Sequence, residues 1–150
     1  MNQIVMTWET YLRDLEILQG QVRTTKVDVI VGLVRGGLIP AVSLSHALDI
    51  PMFTFDPHCL HADGQPRDEI YLPISPGAIR KVLIVDDIAD NGITLTKAKD
   101  FFKHRGFAVT TACVHLNKEK SSIVPDHYVN DSKGIWVCYP YEYGYVKEKK

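Results

Sequence analysis

The feature that most limits how this chain can fold is a short apolar run that ends in two carboxylates. Four consecutive apolar residues, Val82–Val85, lead directly into Asp86 and Asp87. An unbroken apolar run of this kind is typical of a strand covered on both faces, as in parallel sheets. Such a strand delivers the two acids to its carboxyl end, where open α/β sheets bind ligands. The sequence therefore predicts a polar site at one edge of a buried parallel sheet.

Three further segments have the pattern of helices. Thr7 is placed to cap a first helix, whose apolar residues recur near helical spacing at Trp8, Tyr11, Leu12, Leu15 and Leu18. A second helix is predicted over Ile39–Leu48. A third has one apolar face built from Leu95, Ala98, Phe101 and Phe102, and Gly106 ends it.

Short β-branched runs separate these helices. The predicted strands are Val27–Val34, Pro51–Phe55, Lys81–Val85, Phe107–Leu116 and Ile135–Tyr139. Alternation of strands with helices favours an α/β fold with a doubly wound, mainly parallel sheet. The length of 150 residues fits a single domain over residues 1–150.

Composition excludes several classes of partner. Apolar residues make up 45% of the chain, charged residues 23%, and the formal net charge is -1, so no basic excess indicates nucleic acid binding. No run approaches the roughly 20 apolar residues needed to cross a membrane. The cysteines are odd in number and widely spaced, at Cys59, Cys113 and Cys138. They predict reduced thiols in a cytoplasmic protein.

The segment from residue 56 to residue 80 differs from the rest of the chain. It mixes four prolines and two glycines with charged and histidine residues, and it is too long for a plain connector. We predict a small hood or flexible lid here. Glu69–Ile74 is predicted to form one strand of a covering hairpin.

The residues after the acidic pair predict a phosphate site. Asp90, Asn91 and Gly92 tolerate a tight turn, and Thr94 lies where a helix should begin. Free backbone N–H groups at a helix start suit a phosphate. Two unit charges of like sign 4 Å apart repel by about 4 kcal/mol at an effective dielectric near 20, so the acids should face hydroxyls or a cation instead. A ribose 5-phosphate with Mg²⁺ satisfies both demands.

The segment Val82–Thr94 resembles the phosphoribosyl pyrophosphate (PRPP) motif of the type I phosphoribosyltransferases. Asn91 stands where that family usually has Thr, and Ile93 where a small or polar residue is common. The resemblance implies the type I phosphoribosyltransferase fold and a set of PRPP-binding residues: Asp86, Asp87, Asp90, Asn91, Gly92, Ile93 and Thr94. Asp86 and Asp87 would hold Mg²⁺ indirectly, through ribose and pyrophosphate. Asp90 would be catalytic, accepting the base N7 proton or stabilising the developing positive charge.

A glycine break follows the first predicted strand, at Arg35-Gly36-Gly37. The break lies at the carboxyl end of a strand and precedes a helix, so its amides point to the same edge as the acids. Glycine permits close backbone approach, and Arg35 offers a fork of donors suited to phosphate. The segment resembles the pyrophosphate loop of the same family, which implies that Arg35 and Gly36 also bind PRPP.

The C-terminal third resembles the bacterial xanthine–guanine and hypoxanthine phosphoribosyltransferases. A lysine, Lys118, follows a strand, and Trp136 begins an aromatic-rich run through Glu142. The resemblance implies that Lys118 donates to the purine 6-oxo group, Trp136 stacks on the ring, and the Val137 backbone reads the 2-position edge. Core packing of Trp136 and a surface position for Lys118 remain the alternatives.

Together these resemblances imply an enzyme of purine salvage. It would transfer 5-phosphoribose from PRPP to guanine, xanthine or hypoxanthine and release pyrophosphate, with Mg²⁺ as cofactor and a homodimer or homotetramer as its assembly. A phosphoribosyltransferase for another base, or a non-catalytic regulator of the same fold that binds PRPP or a nucleotide, remains open. The acids also resemble the opening strand of receiver domains, but there they precede the phosphoacceptor by about 40 residues on the first strand.

Overall fold

The computed structural model describes residues 2–142 and contains three helices, seven strands and two short 3₁₀ turns. The helices are α1 (Trp8–Val22), α2 (Leu38–Leu48) and α3 (Ile93–His104). The strands are β1 (Gln3–Val5), β2 (Val29–Leu33), β3 (Met52–Phe55), β4 (Lys81–Ala89), β5 (Ala108–Leu116), β6 (His127–Asp131) and β7 (Trp136–Cys138). The 3₁₀ turns are Pro57–Cys59 and Pro140–Glu142.

Five strands form one parallel sheet in the order β3-β2-β4-β5-β6. Side chains along β4 alternate between two apolar layers, with Val82 and Ile84 on one face and Leu83 and Val85 on the other. α3 covers the first face, and α1 and α2 cover the second. The prediction of a doubly wound, mainly parallel α/β fold is therefore confirmed.

Helix α1 begins where its cap predicts. The Thr7 hydroxyl accepts from the Thr10 backbone N–H at 3.1 Å, which satisfies one of the free donors of the first turn. The buried face of the helix consists of Tyr11, Asp14, Leu15, Leu18 and Val22. Trp8 and Leu12, expected on this face, remain about half exposed because they lie at its edge.

Two strands of the structure, β1 and β6, were not predicted from the sequence. β1 pairs in parallel with β7 as a separate two-stranded sheet, with Ile4 opposite Val137. β6 pairs with β5 at the edge of the main sheet, and its five residues are all half-buried. Strands this short and this mixed in polarity lack the continuous or alternating apolar signal that identifies a strand.

Strand β4 is longer than predicted. It continues through Asp86 and Asp87 to Ala89, so the acids lie in the last part of the strand itself and not in a loop after it. The register continues across the sheet, where Asp86 lies opposite Cys113 and Ile88 opposite His115. The strand therefore ends at Ala89, and Asp90 is the first residue after it.

The segment of residues 56–80 folds over α3 without the predicted hairpin strand. Glu69–Ile74 forms no strand, so that prediction was wrong. Instead, Ile70, Leu72 and Ile74 pack against the apolar layer beneath α3. Pro66, Pro73 and Pro76 lack backbone donors, which leaves this segment poorly suited to a ladder of strand hydrogen bonds.

Across residues 2–142, none of the helices has the length and apolar character that a membrane span requires.

Candidate active site

The glycine loop after β2 lies against the acids of β4. A Cβ added at Gly36 would collide with the Asp87 carboxylate, and one added at Gly37 would collide with the backbone carbonyl of Val85. Both positions therefore require glycine for close approach. The loop also contains a cis peptide bond between Val34 and Arg35, and the Arg35 side chain is exposed to solvent. The structure thus brings Arg35 and Gly36 to the same sheet edge as Asp86 and Asp87.

Every hydrogen-bonding side of Asp87 has a partner. Tyr141 donates its hydroxyl to Asp87 Oδ2 at 2.8 Å, and the Ile88 N–H donates to Oδ1 at 2.7 Å. The Tyr139 hydroxyl donates to the Asp87 carbonyl oxygen at 3.0 Å. The Asp87 N–H in turn donates to Asp86 Oδ1 at 2.9 Å. These bonds fix the orientation of both acids.

Burial and mutual repulsion destabilise the ionised form of the acid pair, and a bound ligand could offset this cost. Burial raises the pKa of Asp86 well above its usual range, and the charge of Asp87 adds to the effect. Burial also raises the pKa of Asp87, and the hydrogen bond from Tyr141 opposes that rise. A cation or hydroxyl donors beside the pair would stabilise its ionised form.

A buried histidine supports Asp87 through Tyr139. His115 Nδ1 lies 2.9 Å from the Tyr139 hydroxyl. Because Tyr139 gives its single proton to the Asp87 carbonyl, His115 Nδ1 must be the donor in its own contact. Burial lowers the pKa of His115 from 6.5 to about 4, so the ring is neutral near pH 7. Neither His115 nor the two tyrosines was predicted to serve the acids.

The loop after β4 has the geometry expected at a helix start. Gly92 has a φ of +80° and precedes the first residue of α3, Ile93. Asn91, Ile93 and Thr94 are exposed together at this end of the helix. Asn91 Oδ1 accepts from the Ile93 N–H at 3.0 Å, so the residue in the family's usual Thr position caps one amide of the predicted cradle.

Two residues that the sequence did not predict hold Asp90. Asn117 donates its side-chain N–H to Asp90 Oδ1 at 2.8 Å, and Lys120 donates from Nζ to Oδ2 at 2.6 Å. Burial raises the pKa of Asp90, but the hydrogen bonds from Lys120 and Asn117 outweigh it and the net pKa lies below the usual range. Asn117 follows a predicted strand at this sheet edge, and that position was the available signal.

The predicted base-binding residues lie on two segments: Lys118 follows β5, whereas Trp136 and Val137 belong to β7. Lys118 is exposed, and its Nζ lies 5.5 Å from the centroid of the Tyr128 ring. Trp136 is 55% exposed at the start of β7, so the core-packing alternative for it was wrong. Val137 is buried beside β1. The lysine that contacts Asp90 is Lys120, and the predicted contact of Lys118 with the purine 6-oxo group stays a prediction.

Comparison with known proteins places this geometry in context. A family model described as the phosphoribosyl transferase domain matches residues 8–143. The chain is similar to the solved structure of a purine phosphoribosyltransferase from Pyrococcus horikoshii, with 36% identity, 100% of each chain covered and a TM-score of 0.82. It is also similar to the curated xanthine-guanine phosphoribosyltransferase of Cereibacter sphaeroides, with 28% identity over 149 residues, 91% of this chain and 85% of that protein.

A further solved structure shares the fold. The xanthine-guanine-hypoxanthine phosphoribosyltransferase of Helicobacter pylori is 21% identical, with 95% of each chain covered and a TM-score of 0.77.

Proposed function

This chain belongs to the phosphoribosyl transferase domain family, and we propose that it transfers 5-phosphoribose from PRPP to a 6-oxopurine and releases pyrophosphate. One observation carries the proposal: Gly36 packs directly against the Asp87 carboxylate, so the loops that follow β2 and β4 share one sheet edge. A bis-phosphorylated sugar needs two phosphate sites on either side of a ribose site. The names of relatives such as the Pyrococcus and Cereibacter proteins support a purine as the acceptor.

PRPP would lie along this edge with its parts divided by charge. The 5-phosphate would bind at the start of α3, against the exposed residues Asn91, Ile93 and Thr94 and the turn at Gly92. The pyrophosphate would face Arg35 and Gly36. The ribose hydroxyls would then donate to the acids between the two sites.

The donor set at the acids fits Mg²⁺. Asp86 and Asp87 offer carboxylate oxygens, which are the ligands that Mg²⁺ prefers, and burial leaves their negative charge poorly solvated. When bound, Mg²⁺ would neutralise charge on the pyrophosphate as it leaves. Asp86 and Asp87 would hold it indirectly, through the ribose and pyrophosphate oxygens. In the described part of the chain, no group of three His, Cys, Asp or Glu side chains is placed to hold a metal ion.

Asp90 supplies the acceptor for the base proton. Its hydrogen bonds lower its pKa, so the carboxylate is ionised near neutral pH. An ionised carboxylate beside the base accepts the N7 proton, or balances the positive charge on the purine, as the new glycosidic bond forms. The base would be bound on the side away from Asp90 by Lys118, Trp136 and the Val137 backbone. The Lys118 ammonium lies 5.5 Å from the centroid of the Tyr128 ring, and its side chain would turn from there to reach the 6-oxo group.

Further features extend the proposal. The whole chain acts as a single domain in which residues 56–80 serve as a lid over bound PRPP, supported by their position against α3.

The three free cysteines favour a reducing compartment, the cytoplasm. The chain assembles as a homodimer or homotetramer, which light scattering of the purified protein would test.

A panel of bases tests the function. Purified protein with PRPP and Mg²⁺ is supplied with hypoxanthine, guanine, xanthine, adenine, uracil or orotate, and pyrophosphate release is measured. We expect release with at least one 6-oxopurine. Release only with adenine or a pyrimidine would indicate a phosphoribosyltransferase for another base. Tight PRPP binding without release for any base would indicate a regulator.

A further inference from the structure

The two oxygens of the Asp90 carboxylate have partners of opposite character. Asn117, which holds Oδ1, is 3% exposed. Lys120, which holds Oδ2, has a side chain that is 58% exposed. A buried neutral amide and a solvated ammonium differ in how easily they leave. The carboxylate therefore has one fixed side and one exchangeable side.

Two hydrogen bonds anchor Asn117 besides the one to Asp90, and they fix this side of the carboxylate. Its backbone N–H donates to the Ala89 carbonyl at 3.0 Å, and its side-chain oxygen accepts from the Gly134 N–H at 3.2 Å. Withdrawing the amide from Asp90 would leave buried polar groups without partners, which is costly. Asn117 thus orients Asp90 and also connects it to the loop that leads into Trp136.

The turn that carries Lys120 is itself attached to the phosphate loop. The Ser122 N–H and hydroxyl both donate to the Asn91 carbonyl at 3.0 Å. The Ser121 N–H donates to the Asn117 carbonyl at 2.8 Å. The backbone of the turn is therefore fixed, and only the flexible Lys120 side chain can move away from Asp90.

The other charged side chains near Asp90 contact groups other than its carboxylate. On the same turn, the Lys118 ammonium lies beside Tyr128, and the Glu119 carboxylate lies where a Cβ on Gly134 would be. Asp87, on the strand that ends just before Asp90, contacts Gly36 and Tyr141, and Asp86 accepts from the Asp87 N–H. Lys120 is the charged group whose hydrogen bond reaches Asp90 among residues 2–142.

We propose that Lys120 is a displaceable placeholder on Asp90 Oδ2, the oxygen left for the incoming base, and that the N–H of the base replaces its ammonium. This inference rests on the proposed function. Between turnovers Lys120 pairs with the charge of Asp90 and orients its carboxylate. When the base binds, Lys120 leaves and Asn117 stays. Because exposed ion pairs are weak, the base competes with Lys120 at modest cost.

The substitution Lys120→Met tests the placeholder, with Lys103→Met on the exposed end of α3 as the matched control. With saturating PRPP and Mg²⁺, we expect Lys120→Met to lower the KM for the base about two- to fivefold, the size of one exposed ion pair. NMR titration of the Asp90 carboxyl should show its pKa rising in this variant, since the ion pair that lowers it is gone. Lys103→Met should change neither value.

Two results would overturn the inference. An unchanged KM for the base would show that Lys120 does not compete, and a raised KM would show that Lys120 binds the base instead of yielding to it. Either result in an active wild-type enzyme rejects the placeholder alone. A wild-type chain that releases no pyrophosphate with any base rejects the proposed function, and the placeholder with it.

Discussion

The Tyr141 hydroxyl lies 2.8 Å from Asp87 Oδ2 and donates to it, joining the last described 3₁₀ turn to the acid pair of β4. The same tyrosine stacks on Tyr139 with ring centroids 5.3 Å apart and planes 4° apart. Tyr139 in turn donates to the Asp87 backbone. The aromatic run near the C-terminus therefore supports the proposed ribose site, besides lying near the proposed base site.

Removing the Tyr141 hydroxyl should weaken PRPP binding. That hydrogen bond opposes the burial that raises the pKa of Asp87, so Tyr141→Phe should raise the pKa further. Less of the carboxylate is then ionised at a given pH. We expect the KM for PRPP to rise by roughly ten- to a hundredfold, as for the loss of a hydrogen bond to a charged group, and binding to require higher pH.

Tyr139→Phe is the matched comparison for Tyr141→Phe. It removes the donor to the Asp87 carbonyl and leaves the carboxylate contact intact, but it deprives the buried His115 N–H of its acceptor. An unsatisfied buried donor costs about 1–3 kcal/mol. We expect a loss of stability in urea unfolding with a smaller change in PRPP affinity. Equal PRPP defects in both variants would argue against a specific role for the Tyr141 bond.

Asp90→Asn should reduce turnover more than PRPP affinity. The amide keeps the size of the side chain but cannot accept the base proton, and general base catalysis is typically worth about 10²–10⁴-fold. We expect kcat to fall within that range while the dissociation constant of PRPP changes little. Asp100→Asn, on the exposed surface of α3, serves as the control. Equal losses in turnover and PRPP binding would contradict the base role.

A pair of glycine substitutions separates close approach from backbone freedom. A Cβ at Gly36 would collide with the Asp87 carboxylate, whereas a Cβ at Gly20 in α1 would meet no atom within 4 Å. We expect Gly36→Ala to abolish PRPP binding as measured by calorimetry. Gly20→Ala should retain binding and raise the free energy of unfolding by about 0.5–1 kcal/mol, since Ala is the better helix former. PRPP binding by Gly36→Ala at wild-type affinity would contradict the loop assignment.

His115 should make the fold sensitive to mild acid. Its pKa is about 4 in the folded chain against 6.5 when unfolded, so the unfolded state binds the proton first. The contribution of His115 to the free energy of unfolding is therefore full above pH 6.5 and is lost as the pH falls toward 4. The difference corresponds to about 3 kcal/mol.

The acid sensitivity is measured by urea unfolding at pH 7 and at pH 4.5. His115→Gln should lose less stability between these two values than the wild type does. His46→Gln, at an exposed position on α2, should behave as the wild type. A wild-type pH dependence in His115→Gln would show that other groups cause the acid sensitivity.

The sequence predicted those parts of the molecule that leave a local pattern. Val82–Val85 predicted a buried strand because an unbroken apolar run is typical of a strand covered on both faces. Thr7 predicted a helix start because its hydroxyl can cap the first turn. The partners of the acids left no such pattern. Asn117 lies 27 residues from Asp90, and Tyr141 lies 54 residues from Asp87. These contacts arise only when the sheet brings distant strand ends together.

Product analysis tests the central claim most directly. The wild-type protein is incubated with PRPP, Mg²⁺ and hypoxanthine or guanine, and the products are identified by mass spectrometry and phosphorus NMR. We predict a purine nucleoside 5-phosphate and pyrophosphate in equal amounts. Unreacted PRPP and base after incubation with either purine, from protein that is folded and binds PRPP, would contradict the assignment as a 6-oxopurine phosphoribosyltransferase.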